Sequence, residues 1–71
     1  MKTGDQVTLT VGGHTVTATV MLASQNGRSL FLSFEAVVAG HVGGMPVLQD
    51  DSGVYRAVVT GDEVRLEPRH T

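Results

Sequence analysis

Residues 6–20 read Gln-Val-Thr-Leu-Thr-Val-Gly-Gly-His-Thr-Val-Thr-Ala-Thr-Val, and this stretch decides the fold class. Aliphatic residues alternate with threonines on both sides of Gly12-Gly13. Period-2 alternation of branched residues marks a half-buried strand, and a glycine pair between two such runs marks a hairpin. A two-residue loop sets Val11 opposite His14, Leu9 opposite Val16 and Val7 opposite Ala18. Thr10 then meets Thr15 and Thr8 meets Thr17 on the other face. A slip of one residue would spoil both faces at once, so the register is strongly specified.

The same reading extends along the chain. Further turn signals stand at Asn26-Gly27, Ser52-Gly53 and Gly61-Asp62. A two-residue Asn26-Gly27 loop mixes apolar and polar faces. A three-residue loop, Gln25-Asn26-Gly27, instead pairs Leu22 with Leu30, Val20 with Leu32 and Ala18 with Phe34. Asp51-Ser52-Gly53 has the same form and pairs Val47 with Ala57 and Met45 with Val59. A two-residue Gly61-Asp62 loop pairs Val59 with Val64 and Ala57 with Leu66, and sets Arg56 across from Glu67.

The expected inner face is Val7, Leu9, Val11, Val16, Ala18, Val20, Leu22, Leu30, Leu32, Phe34, Met45, Val47, Tyr55, Ala57, Val59, Val64 and Leu66. Short strands at this spacing predict an all-β barrel of five or six antiparallel strands. Residues 36–44, Ala-Val-Val-Ala-Gly-His-Val-Gly-Gly, lack alternation and are expected as an irregular crossover with one helical turn stopped by Gly40. Residues 68–71 are expected as a flexible tail.

The 71 residues make one domain whose core is small. Cysteine is absent, which excludes disulfides and thiolate metal sites, so the three histidines His14, His41 and His70 and oligomerisation remain as ways to reinforce such a scaffold. The formal charge is −2, and the five basic residues form no run. That argues against nucleic acid as a partner. No apolar run approaches the roughly 20 residues that span a bilayer. The polar opening Met1–Gln6 has no signal-peptide character, so the chain reads as cytoplasmic by default and not membrane-bound, and a mature secreted protein with its signal removed would read the same.

Gly4-Asp5-Gln6-Val7-Thr8-Leu9 resembles the first strand of SH3-like small barrels, which often begin Gly-Asp-x-Val. The resemblance implies a small closed barrel. The whole chain is also similar to short bacterial proteins of the kind carried on mobile gene cassettes, a likeness that implies no function. Plasmid-borne trimethoprim-resistant dihydrofolate reductase is an SH3-like chain whose site forms in an oligomeric pore. Its Val-Gln-Ile-Tyr motif has no counterpart here.

Several groups could carry chemistry. His14 is expected at a hairpin tip, partly exposed. His41 sits in Gly40-His41-Val42-Gly43-Gly44, where glycine backbone can approach an anion closely and histidine titrates near neutrality. His41, Gly43, Gly44 and Tyr55 are therefore the candidate ligand-binding residues. The stretch is neither a P-loop nor a dinucleotide fingerprint. Asp50-Asp51 lacks the alternating ligands of a calcium loop and reads as turn chemistry. Glu35 is expected on the outer face beside Thr17. No spacing calls for a catalytic residue, metal or cofactor.

The clearest departure from pattern is apolar residues on the outer face: Met21 and Phe31 facing each other, with Leu48 and Val58 nearby. Exposed apolar patches with polar rims mark interfaces. The expected function is a non-enzymatic small-barrel module that self-associates as a dimer and binds a protein or small molecule. The alternative is an enzyme or ligand-binding protein whose site forms at an oligomer interface near residues 40–44.

Overall fold

In the computed structural model, which describes residues 2–69, six antiparallel strands close into a barrel. They are β1 (Gln6–Val11), β2 (His14–Ala23), β3 (Ser29–Val38), β4 (His41–Gln49), β5 (Tyr55–Ala57) and β6 (Glu63–Pro68). Each strand neighbours the next, and β6 returns to pair with β1. This meander order differs from the Greek-key order of an OB barrel.

The first hairpin has the register its faces demand, from Val7↔Ala18 through Val11↔His14. Gly12 and Gly13 take φ of 57° and 82°. A two-residue loop with both central residues left-handed matches the strand twist, and glycine enters that region without steric cost. Closure follows from Leu9↔Leu66 and Val11↔Val64. Pro68 lies within β6, and the Arg69 N–H donates to the Gln6 carbonyl, so the chain is held to that point. Pro68 and Arg69 are therefore not the expected tail, and His70 and Thr71 lie outside the described residues.

The second hairpin corrects the sequence reading. The Ser24 N–H donates to the Ser29 carbonyl, which leaves a four-residue loop. Leu22 pairs with Phe31 and Ala23 with Leu30, whereas Val20 pairs with Leu32. The extra residue is Met21, so the bulge sits inside β2 and not at the turn. It turns Ala23 inward and Leu22 outward. The Asn26 carboxamide oxygen accepts from the Ser24 hydroxyl and the Arg28 N–H, which closes the loop without the expected bulge there.

Residues 36–44 are not a crossover and contain no helical turn. They form the β3–β4 hairpin, with Val38↔His41 and Val37↔Val42 around a two-residue Ala39-Gly40 loop. The ladder shifts between Ser33 and Val37, so Phe34, Glu35 and Ala36 stand opposite Gly43. That irregularity hides the period-2 signal.

Asp51-Ser52-Gly53 forms the expected loop, with Val47↔Ala57. β5 then stops at Ala57, and the expected Met45–Val59 pair does not form. Pro46 supplies the reason. Its carbonyl accepts from the Val58 N–H, but proline has no N–H to return the bond. The next loop is four residues long, and β6 pairs as Tyr55↔Val64 and Arg56↔Glu63. The register therefore differs by four residues from the Gly61-Asp62 expectation, and Arg56 faces Glu63 instead of Glu67. An even shift keeps the paired residues Tyr55, Ala57, Val64 and Leu66 on the inner face, whereas Val59 falls in the loop.

The core is Val7, Leu9, Val11, Ala18, Val20, Leu30, Leu32, Phe34, Val38, Met45, Val47, Ala57 and Val64. Val16, Tyr55 and Leu66 pack against it from the margins. Leu22 and Val59, both expected inside, are exposed, and Val38 takes an inner place.

Candidate interaction surface

Three strands and the residue that follows β5 contribute one apolar row on the outer face. Leu22 of β2 pairs with Phe31 of β3, Phe31 pairs with Pro46 of β4, and Val58 bonds to Pro46 just beyond β5. Met21 precedes Leu22, and Leu48 lies two residues beyond Pro46 on the same face of β4. Met21 is 50% exposed, Leu22 68%, Phe31 40%, Leu48 51% and Val58 61%. Residues 36–44 do not cross over the row, because that segment is a hairpin; its Gly44 lies beneath Phe31. Met21 and Phe31 do not face each other as expected. The bulge puts Leu22 opposite Phe31 and leaves Met21 beside the pair.

Phe31 is held by its neighbours. A Cβ added to Gly44 would lie 2.9 Å from Phe31 Cζ and 2.9 Å from the Leu32 carbonyl oxygen. The ring therefore lies against the glycine backbone and presents its other face to solvent. Gly44, expected in a ligand loop, serves as the floor for this aromatic.

Charged groups form the rim. Arg28 Nη2 lies 3.4 Å from Asp51 and donates to the Gln49 carbonyl at 2.9 Å. Arg56 pairs across the ladder with Leu48, and its Nε lies 3.2 Å from Asp50. Asp50 in turn orders its loop. One carboxylate oxygen accepts from the Ser52 hydroxyl at 2.6 Å, the Ser52 N–H at 2.9 Å and the Val54 N–H at 3.0 Å. The Ser52 hydroxyl first, then the Val54 N–H and Arg56, hold its carboxyl down at about 2.

The other candidates lie apart. His41 begins β4, whereas Tyr55 pairs with Gln49 at the far end of that strand. The Tyr55 hydroxyl donates to the Gly27 carbonyl at 2.7 Å. His41 and Tyr55 therefore do not form one site within a chain. His41 is only 9% exposed, lies opposite Val38, and neither ring nitrogen has a hydrogen-bond partner. His14 is exposed opposite Val11. Among the described residues no three His, Asp or Glu side chains are grouped to hold a metal ion. Among the described residues no helix is long and apolar enough to cross a membrane.

Comparison with protein families, with curated proteins and with solved structures finds no match to this chain. The surface is therefore interpreted on its own chemistry. Sequence reasoning placed Met21, Phe31, Leu48 and Val58 outside, and all four are exposed. It missed Leu22 and Pro46. The only signal for Leu22 was the choice between it and Ala23 as the inward residue next to the turn.

Proposed function

We propose that this chain is a non-enzymatic interaction module of the SH3-like small-barrel kind, which dimerises through Met21, Leu22, Phe31, Leu48 and Val58. The observation that carries this reading is the continuous apolar row Leu22–Phe31–Pro46–Val58, in which Leu22, Phe31 and Val58 are exposed and Pro46 is half-buried. Scattered surface apolar residues need no explanation, but one row across three strands and the end of β5, with a charged rim, has the composition of an interface. The small core supports the same reading, because association adds buried apolar area where no disulfide can help. A protein or small-molecule partner would then be recognised by the dimer.

Dilution followed by NMR tests it. The Met21 methyl and Phe31 ring resonances are expected to move with protein concentration, while those of the Gly12-Gly13 loop stay fixed. Concentration-independent spectra over the micromolar to millimolar range, from a chain that sediments as a monomer over the same range, would refute it.

A second reading is favoured by one observation. The unpartnered nitrogens of buried His41 lie in the same hairpin as Val37 and Val42, an exposed cross-strand apolar pair. A partner subunit seated on that hairpin would create a small-ligand site near residues 40–44.

A further inference from the structure

A cleft of the molecule lies away from the apolar row. β2 and β3 are each ten residues long, yet they pair only between Thr19–Ala23 and Leu30–Ser33. Beyond the Thr19↔Ser33 pair they part. His14–Ala18 pair with β1 alone, and Val37 and Val38 pair with β4 alone. A cleft of about 510 Å³ opens in this fork, and its lining includes Val16, Thr17, Phe34, Glu35 and Ala36. The bulge at Met21 and the irregularity at 34–36 stand on either side of the apex, where they bend the two strands apart.

Backbone direction follows from the ladders. Successive residues of an antiparallel strand aim their N–H and C=O to alternate sides. Val20 exchanges its bonds with Gly4 and Asp5, on the β1 side. Thr15 and Thr17, of opposite parity, therefore aim theirs into the fork. Counting from Ser29, whose carbonyl accepts from Ser24, Glu35 aims its own groups into the fork from β3. A row of unpaired strand groups is a template for an added strand.

We propose that the fork binds an extended segment of a partner protein, added as a strand along the Thr15–Thr17 edge of β2. That edge is regular, in unbroken register with β1, whereas the β3 edge is irregular. The chemistry of the segment can be specified. Its inward side chains meet half-buried Val16 and Ala36 and buried Phe34, so they are apolar. Among the lining residues Glu35 carries the one charge, and it is exposed, so the outward side chain beside it is lysine or arginine; the Arg69 guanidinium, which donates to the Thr17 hydroxyl, stands at the β2 edge. A second folded copy does not fit the role. Its own free edges lie inside an equally concave fork, and two such forks cannot seat in one another.

The test uses the 15N-labelled chain and the blocked peptide Thr-Val-Lys-Val-Thr, with one copy N-methylated throughout and one carrying Glu for Lys. The lysine peptide is expected to shift the Thr15 and Thr17 amides and slow their exchange. The N-methylated copy is expected to do neither. The glutamate copy is expected to bind about fivefold more weakly, the order of one exposed charge pair, and Glu35→Lys to reverse that preference. Unmoved Thr15 and Thr17 amides, equal binding of the N-methylated copy, or protection that rises with protein concentration alone would overturn the proposal. Titrating both the wild type and Phe31→Glu keeps this outcome separate from that of dimerisation, since the fork contains none of the apolar row.

Discussion

The Phe31 ring rests on Gly44, so closely that any Cβ there would stand 2.9 Å from the ring. One glycine thus fixes the orientation of the central aromatic of the exposed row. Gly44→Ala is expected to lower stability by about 1–2 kcal/mol, because both the ring and the Leu32 carbonyl must give way. Combining it with Phe31→Ala in a denaturant-based double-mutant cycle is expected to recover part of that loss. Strict additivity would show that the ring and the glycine do not interact.

Ala39 carries a φ of 50° at the first position of the β3–β4 loop. A left-handed alanine costs roughly 1–2 kcal/mol, and Asn-Gly is the favoured pair for this turn. Ala39→Asn is expected to raise stability by about 1 kcal/mol in urea unfolding. Ala39→Val is expected to lower it by more than that.

His41 is buried with both nitrogens unpartnered. Buried polar groups without hydrogen bonds cost about 1–3 kcal/mol. His41→Leu is expected to stabilise the isolated chain by about 1 kcal/mol. A loss of stability would mean that the ring gains partners in an assembly, which would favour the interface site near residues 40–44.

Asp50 titrates at about 2, below its ordinary 3.8. The depressed value means that its loop bonds stabilise the fold above pH 4. They weaken as pH falls from about 4 toward 2, where the folded form takes up its proton. The stability difference between wild type and Asp50→Asn is expected to be full at pH 6 and to vanish near pH 2. Thermal unfolding across that range measures it, and a pH-independent difference would contradict the assignment.

The sequence made some of this plain and hid the rest for physical reasons. The first hairpin was legible because two faces had to match at once. The Met21 bulge was not, since Val20-Met21-Leu22-Ala23 offers an apolar residue at each position, and the larger Leu22 looked like the core residue. The β3–β4 hairpin was hidden because its turn is Ala-Gly, without a polar turn residue, and its strand loses register at 34–36. The β5–β6 faces came out right with the wrong register, because a shift of four preserves parity. Met21, Phe31, Leu48 and Val58 were legible as outward-facing. The fork was not, because no residue announces where two paired strands part.

Sedimentation equilibrium of the wild type beside Phe31→Glu tests dimerisation through the apolar row most directly. A wild-type dimer at micromolar concentration, with a folded monomeric Phe31→Glu of unchanged far-ultraviolet circular dichroism, is the predicted result. A wild type that stays monomeric to millimolar concentration, or a variant that remains dimeric, would contradict it.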